Sequence, residues 1–289
     1  MKALLAPLLA LLALTAPVHA DPAMWEARDA DSRVVLFGSV HVLPRALEWR
    51  TPALDAAVAK SEQVYFETDV GPRGMLALTV KMTFAMFQTA AAPWLDLLTA
   101  EQRERLRVAI EPLGMTLEQA TVMPPWLLSM QLAGLQLSGG DSGAGDYQFD
   151  TGVEWNLQWD LDPDHKAFFE TPGEQFDLLA SGTLDEQIEG LFSLLDEVSN
   201  AAGLDEMIAA WTSGDVAGIE ALIAPKSEAE QAAIEALLYQ RNRNWMPAIE
   251  RLLAENRENL IVVGAAHLVG DGSVLDLLEQ AGYTVTRIQ

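Results

Sequence analysis

The sequence predicts an α/β fold (α+β-like) in which two pseudo-repeated βαβ half-sheets form one central mixed sheet, with a largely helical middle segment. Three observations predict it: a strand–helix–strand order near the amino end, the same order at the carboxyl end, and apolar periodicity near 3.6 residues between them. The two end units agree in order and spacing, although their side chains differ. Chance similarity between ordinary βαβ units is the alternative to a repeat.

The amino-terminal unit opens with two short strands, 24–28 and 34–37, around an Asp/Ser turn. A helix over 52–61 follows, with Thr51 as its N-cap and a proline at its first position. The strand 64–67 closes this unit.

The carboxyl-terminal unit repeats that order. A strand over 260–263 is followed by a helix over 273–281, which Gly282 closes, and by a final strand over 284–288.

The segment between the units, a helical insertion at about 75–255, shows helical periodicity over the ranges 95–113, 117–137, 184–198, 204–213 and 229–253. The glycine-rich stretch 138–149 predicts a mobile loop. The segment 75–92 is nearly all apolar, but Lys81 and Gln88 interrupt it, which favours a packed helix over a membrane span. A flexible apolar wall for a peptide groove is the alternative.

The first 20 residues predict a signal peptide. Lys2 gives a positive start, 4–15 is apolar, and Val18-His19-Ala20 is typical of a cleavage site. Cleavage after Ala20 leaves one domain, 21–289, that we expect in the periplasm or secreted. The chain has no cysteine, so we expect neither a lipid anchor on cysteine nor disulfides.

The charge balance restricts the partners. Acidic residues number 42 and basic residues 18, for a net charge of −24. Such a charge argues against nucleic acid and anionic lipid as partners. A solubilising surface explains it, and attraction of metal cations is the alternative. The oligomeric state stays open.

Two Gly-x-x-His motifs close predicted strands. "VVLFGSVH" ends at His41, and "LIVVGAAH" ends at His267. Ligands of open α/β sheets gather at the carboxyl ends of strands, so we expect the two imidazoles to share a site. Glycine there lets the backbone turn and leaves space beside the ring. A turn residue is the alternative for either histidine alone, and His165, in an acidic turn-rich stretch, is interpreted as a solvated loop residue.

A carboxylate ends a third strand, since "VYFETD" places Glu67 directly after an apolar run. Two imidazoles and a carboxylate are the ligands of many divalent-metal sites with positions open to water. The sequence therefore predicts a metal site of His41, Glu67 and His267, with Zn²⁺, Mn²⁺ or Co²⁺ as the candidate cofactors. A cap or edge carboxylate is the alternative for Glu67.

These motifs resemble the TraB/GumN family, which is related to the Tiki metalloproteases and more distantly to the erythromycin-esterase and ChaN-like proteins. "LFGSVHVLP" with "VYFETD" is similar to the amino-terminal signature, and "VVGAAHLVGDGSVLDLLEQAGYTVTRI" to the carboxyl-terminal one. "TGVEWNL", "FFETPGEQ" and "YQRNRNW" fit the middle. The resemblance covers nearly the whole chain after the signal peptide.

The resemblance implies an active site made of the two motif histidines and Glu67. It adds Glu170 as the next candidate, with Gln175 in the same motif, and it adds the pair Arg241 and Asn242.

The chain departs from the family pattern at two places. Gln240 stands where the family usually has glutamate before the Arg-Asn pair, and Glu154 stands where aspartate is usual. Ser39 in "GSVH" invites a nucleophile interpretation, but Ala265 takes that place in the second motif.

The resemblance implies an exported metal-dependent hydrolase, a peptidase acting on a peptide or small-molecule substrate. Glu67 or Glu170 would act as base, and Arg241 or Asn242 would steady the oxyanion. Stacking of Arg241 on Trp245, one turn further along a helix, is the purely structural alternative for that arginine.

Two other functions stay open. One is a non-catalytic peptide- or metal/haem-binding protein of the same fold. The other is a metal-free, esterase-like hydrolase with His41 or His267 as the general base.

Overall fold

A six-stranded mixed sheet lies at the centre of the protein in the computed structural model, which describes residues 20–137, 147–197 and 202–289. The α/β class is therefore confirmed. The predicted signal peptide, except Ala20, and 138–146 of the predicted loop lie outside the described residues.

The strands follow the predicted positions at both ends of the chain. They are β1 (Met24–Arg28), β2 (Arg33–Ser39), β3 (Leu43–Pro44), β4 (Gln63–Phe66), β5 (Tyr147–Gln148), β6 (Lys166–Phe168), β7 (Asn259–Gly264) and β8 (Thr284–Arg287). The central sheet has the order β6-β4-β7-β2-β1-β8, and β3 pairs with β5 in a separate two-stranded sheet. Strand β5 was not predicted as part of a sheet, whereas the apolar pair Phe168-Phe169 before Glu170 indicates the end of a strand where β6 lies.

The two βαβ units interleave in this sheet. Strand β7, from the carboxyl-terminal unit, lies between β2 and β4 of the amino-terminal unit and is parallel to both. Strand β6 is parallel to β4, whereas β1 is antiparallel to β2 and β8. The carboxyl ends of β2, β4, β6 and β7 therefore lie along one edge of the sheet.

The helices are α1 (Pro52–Lys60), α2 (Pro72–Ala91), α3 (Ala100–Ile110), α4 (Leu117–Ala120), α5 (Pro125–Leu137), α6 (Val153–Asp160), α7 (Pro172–Leu179), α8 (Leu184–Glu197), α9 (Ala202–Thr212), α10 (Val216–Ile223), α11 (Glu228–Ile234), α12 (Gln240–Ala254) and α13 (Val274–Gln280). A π-helical segment, Glu235–Tyr239, joins α11 to α12. The predicted Thr51 cap of α1 is confirmed, since its hydroxyl accepts from the Leu54 amide at 3.2 Å.

Helices cover both faces of the sheet. On one face α1, α6, α9 and α10 pack on Leu260 and Val262, and on the other α12 and α13 pack on Ile261 and Val263. Alternate residues of β7 thus enter opposite cores, and this is why the strand has a continuous apolar run.

Part of the middle segment forms a third core away from the sheet. It is built around Trp94, Leu106, Leu128 and Leu191, which come from the region before α3 and from α3, α5 and α8. The helical middle segment therefore divides between a layer on the sheet and a separate cluster.

Helix α2 differs from the packed helix that its sequence predicts. Gly74 is its buried residue, while Leu76, Val80, Phe84 and Phe87 are each between 63% and 71% exposed. Among the described residues, no helix has the length and apolar character that crossing a membrane requires. The apolar composition of α2 therefore marks an exposed apolar surface.

Glycine at three positions allows close approach near the ends of these strands. A Cβ on Gly38 would lie 3.1 Å from the Ala265 Cα, and one on Gly264 would lie 3.2 Å from a carboxylate oxygen of Glu67. A Cβ on Gly152 would lie 2.0 Å from the carbonyl oxygen of His41. At these glycines, space is the physical requirement, because none of the three has a positive φ.

We expect Gly152→Ala to destabilise the protein by at least about 2 kcal/mol. The added Cβ would overlap the carbonyl oxygen of His41, and a backbone atom cannot rotate away as the end of a flexible side chain can. Urea denaturation measures this change. The matched control is Gly190→Ala in α8, where an added Cβ meets open space, and a gain of about 0.5–1 kcal/mol is expected from helix propensity. Equal stability of Gly152→Ala and the wild type would contradict the close contact.

Candidate functional site

Each of the four parallel strands is followed by a side chain of the candidate site. His41 follows β2, Glu67 follows β4, Glu170 follows β6, and His267 lies three residues beyond β7. The Glu170 amide donates to the Glu67 carbonyl at 2.8 Å, which extends the pairing of β4 and β6 into the site. The carboxyl edge of the sheet is where ligands gather in such folds.

Glu67 lies at the centre of the site and is 4% exposed. Its Oε1 accepts from the Gly264 amide at 2.7 Å and lies 3.6 Å from the His267 Nε2. Its Oε2 accepts from the Arg241 Nη2 at 2.6 Å and from the Gln175 Nε2 at 3.2 Å. The close approach of Gly264 to this carboxylate explains the glycine of the second motif.

Arg241 joins the carboxylates of two strands. Its Nε and Nη2 donate to the two oxygens of Glu170, each at 2.8 Å, and Nη2 also donates to Glu67. Its Nη1 donates to the Leu237 carbonyl at 3.1 Å and contacts the His267 Nε2 at 3.2 Å. These five contacts use the five N–H groups of a guanidinium, so an oxyanion would have to displace one of them.

The backbone changes from π-helical to α-helical form directly before Arg241. The π-helical segment Glu235–Tyr239 ends immediately before α12, and its Leu237 carbonyl accepts from Arg241. Such π-helical turns are rare and concentrate at functional sites. The Arg241 guanidinium carbon also lies 4.9 Å from the centre of the Trp245 ring, so the stacking considered as an alternative role accompanies the carboxylate contacts.

His267 is buried, and its imidazole is in contact with Arg241, Asn242 and Trp245. Its Nδ1 lies 2.6 Å from the Asn242 Oδ1, and the Asn242 Nδ2 donates to the Gly272 carbonyl at 2.9 Å. Since that amide oxygen is an acceptor, the Nδ1 of His267 carries the proton and its Nε2 has the lone pair. The Trp245 ring, 4.5 Å away between centroids, packs on the imidazole.

His41 lies at the open side of the site. Its side chain is 61% exposed, and its Nδ1 is 3.0 Å from Oε1 of Glu154, which is 7% exposed. The Ser39 hydroxyl donates to the same oxygen, so it is engaged with a carboxylate and not with an imidazole. Helix α6 brings Glu154 here because its first residue, Val153, donates to the Val40 carbonyl at 3.0 Å.

Three of these side chains could hold a cation. One ligand atom each from His41, Glu67 and Glu154 lies within 4.8 Å of the others, and this is the metal-compatible group found among the described residues. The Oε2 of Glu154 is buried and has no hydrogen-bond partner. A buried carboxylate oxygen without a partner is costly, and a bound cation would satisfy it, so the donor set fits a divalent metal.

The structure therefore brings the predicted residues His41, Glu67, Glu170, Arg241 and His267 into one cluster, with Asn242 in contact with His267. The metal-compatible group contains Glu154 beside His41 and Glu67. His165 lies elsewhere, with its Nε2 2.6 Å from the Ser61 carbonyl.

Glu154 stands at a position of the family pattern, but the predicted metal site did not include it. It lies in the first turn of α6, on a face that also buries Val153, Leu157 and Gln158. A glutamate between Val153 and Trp155 is the signal that could have identified it, since a charged group among apolar side chains requires a partner.

The cluster gives its ionisable groups different charges. Burial by itself would raise the pKa of Glu67, but the neighbouring His267 and Arg241 outweigh it and lower this pKa to about 2. Burial lowers the pKa of His267 to about 4, and the Arg241 charge acts in the same direction. The Glu154 carboxylate raises the pKa of His41 to about 9. At neutral pH Glu67 is charged, His267 is neutral and His41 is protonated.

The pKa of His267 predicts a pH-dependent stability. Because the folded pKa lies below that of an unfolded histidine, the unfolded chain binds more protons between pH 6.5 and about 4, and the unfolding free energy falls as the pH falls. We expect the wild type to lose up to about 3 kcal/mol more than His267→Gln across this window. Urea denaturation at stepwise pH measures it, with His165→Gln as the control. Parallel curves for the wild type and His267→Gln would refute the shift.

The buried ion network predicts a large cost for a conservative change. Arg241→Lys keeps the charge but removes the planar fork that pairs with Glu170 and Glu67 together, so we expect a loss of about 2–3 kcal/mol in unfolding free energy. Arg243→Lys, at an exposed position of the same helix, should change stability by less than about 0.5 kcal/mol. Thermal and urea unfolding measure both variants, and similar losses for the two would argue against the network.

The comparison with protein-family models agrees with the motifs that build this site. No curated protein and no solved structure matches the chain. The family model described as "TraB/PrgY/gumN family" matches residues 23–287, which includes every strand of the central sheet and every side chain of the site. The chain belongs to the TraB/PrgY/gumN family.

Proposed function

We propose that the protein is a divalent-metal-dependent hydrolase acting on peptide bonds, with the cluster around Glu67 as its active site. The observation that carries this proposal is the group of His41, Glu67 and Glu154, whose ligand atoms lie within 4.8 Å of one another at the carboxyl edge of the sheet. The unpartnered buried oxygen of Glu154 supports a cation there. Zn²⁺, Mn²⁺ and Co²⁺ are the candidates.

A divalent cation at this position would lower the pKa of a water molecule and polarise a carbonyl group. The chain supplies the rest of the chemistry. His41 is on the exposed side, where a substrate can reach it, while Arg241 fixes Glu67 and Glu170. Glu170 has both oxygens on Arg241 and one also on the Trp245 Nε1 at 2.9 Å, and Glu67 likewise accepts hydrogen bonds at both oxygens. Glu154, whose Oε2 has no partner, is therefore the best placed carboxylate for handling a proton.

The charges of the site disfavour a metal-free hydrolase. With a pKa of about 9, His41 is protonated at neutral pH and cannot accept a proton. With a pKa of about 4, His267 is a weak base. A metal-free mechanism therefore lacks a histidine base matched to neutral pH.

A non-catalytic peptide-binding protein is the second candidate, and one observation favours it. Helix α2, which carries the exposed apolar surface, begins five residues after Glu67. Lys81 joins α2 to α7 by contacts with the Gly173 carbonyl at 3.0 Å and with Asp177 at 2.6 Å. The same α7 carries Gln175, which contacts Glu67. An apolar peptide segment could therefore lie on α2 close to the site without being cleaved.

Cleavage of unstructured peptides, followed by mass spectrometry, tests the proposal. We expect chelation to abolish cleavage, one of the three candidate cations to restore it, and His41→Ala to lower the rate at least about a hundredfold. His165→Ala, which removes a histidine outside the cluster, should cleave like the wild type. Cleavage that survives exhaustive chelation, or normal cleavage by His41→Ala, would overturn the proposal. Tight peptide binding without turnover under every cation would favour the second candidate.

A further inference from the structure

Glu154 and His267 compete for the same role in the candidate site. The sequence motifs favour His267 as the third ligand beside His41 and Glu67, whereas the geometry places Glu154 in the metal-compatible group. The two ligand sets differ chemically: one has two nitrogens and one oxygen, and the other has one nitrogen and two oxygens.

Only one of the two oxygens of the Glu154 carboxylate has a hydrogen-bond partner. Its Oε1 accepts from the Ser39 hydroxyl and lies 3.0 Å from the His41 Nδ1. Its Oε2 has no hydrogen-bond partner, and water cannot replace one because the residue is only 5% exposed. The carboxylate therefore has an unused oxygen, and one of its two oxygens lies within 4.8 Å of ligand atoms of His41 and Glu67.

The His267 imidazole is already engaged at both nitrogens. Asn242 holds Nδ1 at 2.6 Å, and the Arg241 guanidinium lies 3.2 Å from Nε2. A cation on Nε2 would therefore have to displace a positive charge that Glu67 and Glu170 fix in place at 2.6 and 2.8 Å.

We infer that Glu154, and not His267, completes the cation site with His41 and Glu67, and that the site takes a hard divalent cation such as Mn²⁺. A ligand set with two carboxylates and one imidazole favours such cations over softer ones. His267 instead accepts a hydrogen bond from Arg241 and positions it. This inference rests on the proposed function, since it assigns the ligands of the cation in that proposal.

Titration of the purified protein with Mn²⁺, followed by the electron paramagnetic resonance signal of the free ion, tests the assignment. We expect Glu154→Gln to weaken Mn²⁺ binding at least about tenfold, and His267→Gln to weaken it less than about threefold. Glu101→Gln, at an exposed position of α3, removes one negative charge outside the cluster and should bind Mn²⁺ like the wild type. This control separates the site from general attraction to an acidic surface.

Glu154→Asp keeps the carboxylate and should bind Mn²⁺ better than Glu154→Gln, which separates ligation from a loss of folding. Near-ultraviolet circular dichroism checks the packing of each variant. A stronger loss in His267→Gln than in Glu154→Gln, with both folded, would overturn the assignment.

A different result would contradict the proposal of a metal-dependent hydrolase. Wild-type protein that binds no Mn²⁺, Zn²⁺ or Co²⁺ would overturn both the cation site and the proposed function. Wild-type binding that is unchanged in Glu154→Gln would overturn the ligand assignment alone.

Discussion

The ion network of Arg241 with Glu67 and Glu170 is the interaction on which the site depends. Both carboxylates follow neighbouring parallel strands and are largely removed from water, at 6% and 14% side-chain exposure. Two such charges repel each other and lose their hydration. One guanidinium, bidentate to Glu170 and bonded to Glu67 by a third contact, stabilises both carboxylates. The carboxylates at the ends of β4 and β6 therefore require a positive charge between them. Helix α12 must pack at a fixed depth and rotation to place the Arg241 guanidinium there.

The same requirement accounts for several features around α12. The π-helical segment ends directly before α12, and its Leu237 carbonyl accepts a hydrogen bond from the Arg241 guanidinium. One turn later, Trp245 stacks under the guanidinium and donates to Glu170 at 2.9 Å. Asn242, fully buried between these two, orients His267. The placement of the Arg241 charge thus accounts for the contacts of Leu237, Asn242 and Trp245.

The sequence predicts the part of this arrangement that depends on strand order. Apolar runs that end in Gly-x-x-His or in glutamate place His41, Glu67 and His267 on one edge of a parallel sheet, and the structure has them there. The position of Glu154 could not be predicted this way, because it depends on how α6 docks against Val40 and on the close contact of Gly152 with His41. Exposure of α2 was missed for a similar reason, since composition reports apolar character but not which neighbours remain to cover it.

The two motifs also end in different environments although their sequences match. In the register of β2 and β7, Ser39 pairs with Gly264, so the motifs are offset by one residue. His267 turns into the buried core beside Trp245, while His41 stays 61% exposed.

Charge balance connects these observations. Glu67, Glu154 and Glu170 contribute three formal negative charges and Arg241 one positive charge, which leaves the cluster at −2 with neutral histidines. A proton on His41 compensates half of this, and the Glu154 carboxylate favours that proton by raising the pKa of the imidazole to about 9. A divalent cation would neutralise the cluster completely and would allow His41 to give up its proton and act as a ligand. The carboxylate of Glu154 supplies half of the net negative charge of the cluster. Without it the cluster would carry −1 with neutral histidines, and its attraction for a divalent cation would be weaker.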